Sequence, residues 1–124
     1  MTAIELLGIA IAGGLGAAAR FLTGVLAGGW PVRATIAVNL VASLLAGFCV
    51  SLLPLDATWR AILVTGFCGG LSTYSAFATQ AVEQLERRRR GHGLATIVVT
   101  VVGGAAAAGL GLLLGAALVP ATAI

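Results

Sequence analysis

Few residues in this chain are equipped for chemistry, and three groups of them lie inside apolar surroundings. Arg20 falls late in the first long apolar run. It either snorkels to an interface or attracts an anion at a pore mouth. Asn39 sits early in a second run; its amide can act as glue between helices or donate hydrogen bonds to an anion. The third group is GFCGGLSTYSAF, residues 66–77. Gly66, Gly69 and Gly70, followed by Leu71-Ser72-Thr73, are poor company for an uninterrupted helix. A break here frees backbone carbonyls at membrane depth, which is tolerated only where protein, water or an ion satisfies them. Freed carbonyls suit a small hard cation. Just beyond, Tyr74 and Phe77 share one helical face. Ring edges carry positive partial charge and can favour an anion without trapping it, although simple core packing also explains such a pair.

The usual ingredients of catalysis are missing from this pattern. His92 is the single histidine and stands in a basic loop, and Glu5, Asp56, Glu83 and Glu86 all fall near the ends of apolar runs. No acid at mid-membrane depth means no obvious proton-coupling group. GGLGAAAR, residues 13–20, lacks the Lys-Ser/Thr ending of a phosphate loop. Cys49 and Cys68 lie inside apolar runs and read as packing residues rather than a disulfide or metal pair. The chain is not expected to be an enzyme.

The elements that must position these residues follow from composition. Of 124 residues, 60% are hydrophobic and only 9% charged, too little polar surface for a soluble domain of this size. A bilayer core of ~30 Å needs roughly 20 helical residues. Four runs qualify, at about residues 4–26, 34–53, 59–82 and 94–118, and together they predict one all-α transmembrane domain with a break in the third span. Gly28-Gly29-Trp30-Pro31 is a turn signal, Pro54 and Asp56 mark the second loop, and residues 87–93 form the third. Trp30 and Trp59 fall near span ends, as interfacial tryptophans do. Glu5 in place of a basic leader region marks the first run as a mature helix. Gly24 and Gly28, Gly66 and Gly70, and Gly111 and Gly115 have the spacing that lets helices approach closely, within one bundle or between subunits.

Charge adds orientation. The seven cationic residues are all arginine, and four form the run Arg87 to Arg90, a membrane flank rather than a nucleic-acid footprint. With four spans, Arg60 lies on the side of the termini, while Arg33 and the run lie opposite, five against one. The positive-inside rule then places the first and third loops in the cytoplasm. A fixed orientation predicts a related partner subunit of opposite bias; a homodimer that tolerates the Arg run is the alternative.

Taken in order, GGLGAAARF (residues 13–21), TIAVNLVASLLAG (35–47) and GFCGGLSTYSAF (66–77) resemble the Fluc (CrcB) family of fluoride channels over nearly the whole chain. The resemblance implies an antiparallel dimer, with itself or a paralogous subunit, in the inner (plasma) membrane. It implies passive export of F⁻ and a structural Na⁺ that is not transported. It places Na⁺ on the backbone carbonyls of Gly69 and Ser72 from both subunits, with Gly69→Val expected to crowd the break. The fluoride pore falls to Asn39, Tyr74, Ser75 and Phe77, and the pore mouth to Arg20. Departures from the family pattern are Tyr74 for a Phe, Ala76 for a Thr, Gln80 for a Glu and Ala42 for a Gly. Two alternatives stand beside the channel: a small multidrug or cation exporter, disfavoured because Glu5 is too near the terminus, and a non-conducting partner subunit of a heteromeric channel.

Overall fold

The structure, a computed structural model, describes residues 1–52 and 56–119. Four helical stretches, Ala3–Ala27, Pro31–Ser51, Ala57–Glu86 and Arg90–Leu118, are long and apolar enough to cross a membrane, and no strand occurs among the described residues. They begin one to four residues earlier than the apolar pattern alone suggests, where capping residues or a proline supply the first turn. Thr2 and Glu5 form a reciprocal capping box on the first span, Pro31 opens the second, and Asp56 caps the third by accepting from the Thr58 N–H at 2.8 Å. The expected end of the second span at residue 53 and the turn at Pro54 lie outside the described residues. Gly28 ends the first span with φ 58°, a backbone state that favours glycine.

The spans pack as two pairs. The first lies along the early part of the third, and the second lies along the fourth. Both seams are backbone-to-backbone. A methyl group on Gly16 would strike the Phe67 carbonyl, and one on Gly70 would strike the carbonyl of Gly13. On the other seam, Gly47 faces the Ala108 carbonyl and Gly111 faces that of Leu44. This is the close approach that small residues allow where lipid gives helices no hydrophobic reason to associate. Of the three glycine pairs marked in the sequence, Gly66/Gly70 and Gly111/Gly115 are therefore used inside the chain, while Gly24 and Gly28 face open space. A small core of Val38, Ala42, Cys68 and Leu71 joins the pairs, with Ala19, Leu45, Ala46 and Phe67 against it. Most large apolar side chains point outward, among them Leu15, Phe21, Val102 and Leu113, as the lipid-facing surface of a bilayer protein requires.

The two ends of the bundle differ. At one, the Thr58 hydroxyl donates to Glu5 at 2.6 Å, tying the start of the third span to the start of the first. At the other, Trp30, Arg33, Arg87, Arg89 and His92 surround a common cavity.

Candidate functional site

The third span is not one regular helix. It starts as an α-turn at Ala57–Arg60, widens into a π-helix at Ala61–Cys68, tightens again at Gly69–Leu71 and then stops. Ser72 (φ −74°, ψ 157°) and Thr73 (φ −147°, ψ 121°) are extended, and a new helix runs from Tyr74 to Glu86. The glycines do not make the break. Gly69 is helical at φ −63°, and Gly66 and Gly70 serve contact with the first span: a methyl on Gly66 would come within 2.9 Å of the Ile9 carbonyl. A methyl on Gly69 would meet only the Val64 carbonyl, at 3.8 Å. The expectation that Gly69→Val crowds the break is thus corrected within this chain: Gly70 and Gly16 are the crowded positions.

What holds the break open is Asn39. Its Nδ2 donates to the Thr73 carbonyl at 3.1 Å, and its Oδ1 accepts from the Thr73 N–H at 2.8 Å. One amide therefore satisfies both backbone groups of an extended residue at membrane depth, where an unsatisfied group would be costly. The Thr73 hydroxyl accepts from the Ala76 N–H at 3.2 Å and so caps the new helix. These bonds have a further consequence. In a continuous helix the Thr73 N–H would donate to the Gly69 carbonyl and the Ala76 N–H to that of Ser72. Both donors are diverted to side chains, so those two carbonyls lose their helical partners. Among the described residues no group of three or more His, Cys, Asp or Glu side chains gathers anywhere.

The remaining candidates lie around this point. Arg20, Thr73, Ala76 and Gln80 line one small cavity of about 200 Å³, with Thr35 and Val38 of the second span. Arg20 is partly buried, and its guanidinium belongs to the neighbourhood of the break. Tyr74 and Phe77 pack edge to face, with ring centroids 6.2 Å apart. Tyr74 is 81% exposed, Ser75 is exposed as well and Phe77 is half-buried, so on the single chain the Tyr74 ring lies on an outer surface rather than in a filled core. Asn39 keeps one N–H beyond its bond to Thr73.

The sequence named Thr73 and Gln80 without the roles they take here and did not single out Thr100. Thr73 is the residue on which the break turns; its signal was a Ser-Thr pair ahead of an amphipathic helix, an N-cap pattern. Gln80 lines both cavities, reaches the Pro31 carbonyl at a long 3.5 Å and leaves its buried Oε1 without a partner. The Thr100 hydroxyl is also buried and unpartnered; nothing in the local sequence distinguishes it from Thr96, which bonds Gln84 at 2.7 Å.

Four apolar spans, one of them interrupted by extended backbone pinned to a neighbouring helix, define a polytopic membrane protein with a discontinuous helix of the sort that carries ions. Over residues 7–112 the chain matches the family described as CrcB-like protein, Camphor Resistance (CrcB). It is 43% identical to fluoride-specific ion channel FluC 1 of Leifsonia xyli subsp. xyli, over 93% of this chain and 89% of that protein. It is 42% identical to fluoride-specific ion channel FluC 2 of Rhodococcus jostii, over 83% and 91%, and 36% identical to fluoride-specific ion channel FluC of Bordetella avium, over 88% and 90%. The chain belongs to the CrcB family, and the small multidrug exporter alternative falls away.

Proposed function

We propose that this chain is a subunit of a fluoride-selective channel that lets F⁻ leave the cytoplasm passively across the plasma membrane and so lowers fluoride toxicity. The observation that carries the reading is the Asn39 clamp on an interrupted span, in a chain whose relatives are named fluoride-specific channels. Fluoride is small and strongly hydrated, so a selective pore has to replace its water with donors yet release it. The remaining N–H of Asn39, the hydroxyl of Ser75 and the ring edges of Tyr74 and Phe77 are donors of that kind, and none is a cation that would trap the ion. Arg20, beside the break, raises the local anion concentration at the mouth.

The assembly is an antiparallel dimer. The exposure of Tyr74 and Ser75 on the single chain supports a partner that completes the pore. The carbonyls of Gly69 and Ser72 from both subunits would hold a structural Na⁺, which supplies positive charge to oxygens that have lost their N–H donors. Arg33 and Arg87 to Arg90 against Arg60 support a fixed orientation with the first and third loops in the cytoplasm, and hence a paralogous partner.

Liposomes holding every required subunit should release F⁻ and retain Cl⁻; release of both at equal rates, or of neither, would sink the channel reading. A fluorescent reporter at the C-terminus that matures only in the cytoplasm should stay dark when this chain is expressed alone. A strong signal would favour the homodimer.

A further inference from the structure

The two helix seams count residues differently. On the fourth span, Gly104, Ala108, Gly111 and Gly115 lie against the second span, at intervals of four, three and four residues. That spacing keeps to one face of an α-helix, since eleven residues are about three turns. On the third span, the contacts with the first fall at Thr58, Ile62, Gly66 and Gly70. The Thr58 hydroxyl donates to Glu5 at 2.6 Å, the Ile62 side chain lies against Gly8, and Gly66 and Gly70 lie against the backbone of Ile9 and Gly13. Here the intervals are four, four and four. Twelve residues make about three and a third turns of α-helix, so an α-helical third span would carry Gly70 about a third of a turn off the face that Thr58 begins. The first span meets these contacts between Glu5 and Gly16, eleven residues of unbroken α-helix. The third span keeps its four contacts in line because Ala61–Cys68 is π-helical, and a π-helix holds more residues in each turn.

We propose that this π-helical stretch is a register adapter: it takes up one residue in surplus and so aims the break of the third span at Asn39. With Thr58 and Ile62 held at one end, a continuous α-helix would turn every later residue by about a third of a turn. Gly66 and Gly70 would then leave the first-span backbone. Thr73 would no longer present its N–H and its carbonyl to the second span, where Asn39 takes both. The surplus falls in the second interval. Thr65 lies between Ile62 and Gly66 and is exposed; without it the intervals become four, three and four, those of the fourth span. π-Helical turns are rare and recur at functional sites, and the function served here is the placement of extended backbone at membrane depth.

One-residue changes test the surplus directly, and elution and thermal unfolding in detergent read them without any anion, so failure of the adapter is distinct from failure of the channel reading. Deletion of Thr65 should be absorbed as a change from π- to α-helix. The protein should elute as the full-length chain does, with its unfolding midpoint shifted by less than about 5 °C. An alanine inserted between Thr65 and Gly66 adds a second surplus residue and should leave no monodisperse protein. Deletion of the exposed Ala10 from the α-helical first span, which has no residue to spare, should do the same. In the Thr65 deletion, Asn39→Ala should still lower the midpoint as far as it does in the full-length chain, because the seam still delivers Thr73 to Asn39. Loss of the fold on deleting Thr65 would overturn the adapter. So would an insertion, or an Ala10 deletion, tolerated as well as the Thr65 deletion, since a merely loose seam accepts any of the three. A Thr65 deletion that folds but no longer responds to Asn39→Ala would overturn the aiming of the break.

Discussion

The two helix seams of this molecule are made of the same material and end differently. Between the second and fourth spans, Gly47 and Gly111 meet bare backbone and both helices run on unbroken. Between the first and third spans, Gly16 and Gly70 do the same, yet the third span stops two residues later. Hydroxyl groups occur on both seams, but they act in opposite senses. Ser43 and Ser51 donate back to carbonyls of their own helix, at 2.8 and 2.9 Å, and leave the ladder intact. Thr73 accepts from an N–H ahead of it, and its own backbone is taken by an amide from another helix. Close approach by small residues thus brings helices together; the third is opened by a polar partner from outside its seam, Asn39 of the second span.

Gly70→Val should have the largest effect. Its side chain would be driven into the Gly13 backbone, which cannot yield as a side chain can, and size-exclusion chromatography in detergent should recover no monodisperse protein. Gly69→Val, one residue away, should remain folded. If the two behave alike, the break itself and not the seam sets the tolerance. Asn39→Ala comes next. It strands both backbone groups of Thr73, a loss of about 3 kcal/mol for two buried hydrogen bonds, read as a lower midpoint in thermal unfolding. Thr73→Val keeps the shape and removes the cap, at about 1 kcal/mol, and a loss as large as that of Asn39→Ala would shift the weight of the break from the amide to the hydroxyl. Ser72→Ala should change stability by less than about 0.5 kcal/mol and leave any Na⁺ dependence of unfolding intact, because the oxygen proposed as ligand belongs to the backbone.

How far the sequence revealed this arrangement differs from residue to residue. Four spans were legible because apolar length alone marks them, and a disrupted third span was legible in residues 66–77. The break was legible within residues 66–73, but not its position at the end of that stretch, Ser72 and Thr73. Glycine has low helix propensity, so Gly66, Gly69 and Gly70 drew attention, but contact with the first span keeps them helical and propensity yields to packing. The helix breaks at Ser72 and Thr73 because Asn39, 34 residues away along the chain, takes both backbone groups of Thr73, and no local pattern encodes that meeting. Asn39 itself had two readings, glue or anion donor. The structure uses its oxygen and one N–H on Thr73, and the second N–H is not part of that clamp. The basic cavity was foreshadowed only as charge: Arg33 and the Arg run were legible as a flank, whereas their convergence around one hollow depends on the turn at Arg88.

The most direct test of the central claim is a fluoride-electrode recording of efflux from liposomes, made on the wild-type assembly and on Asn39→Asp, which keeps the oxygen that holds the Thr73 N–H and loses the amide hydrogens. Wild type should empty its fluoride while retaining chloride, and the variant, still folded by its elution volume, should lose most of that flux. Fluoride efflux from Asn39→Asp equal to wild type, or chloride leaving the wild-type vesicles as fast as fluoride, would contradict an Asn39-centred fluoride pathway at the break.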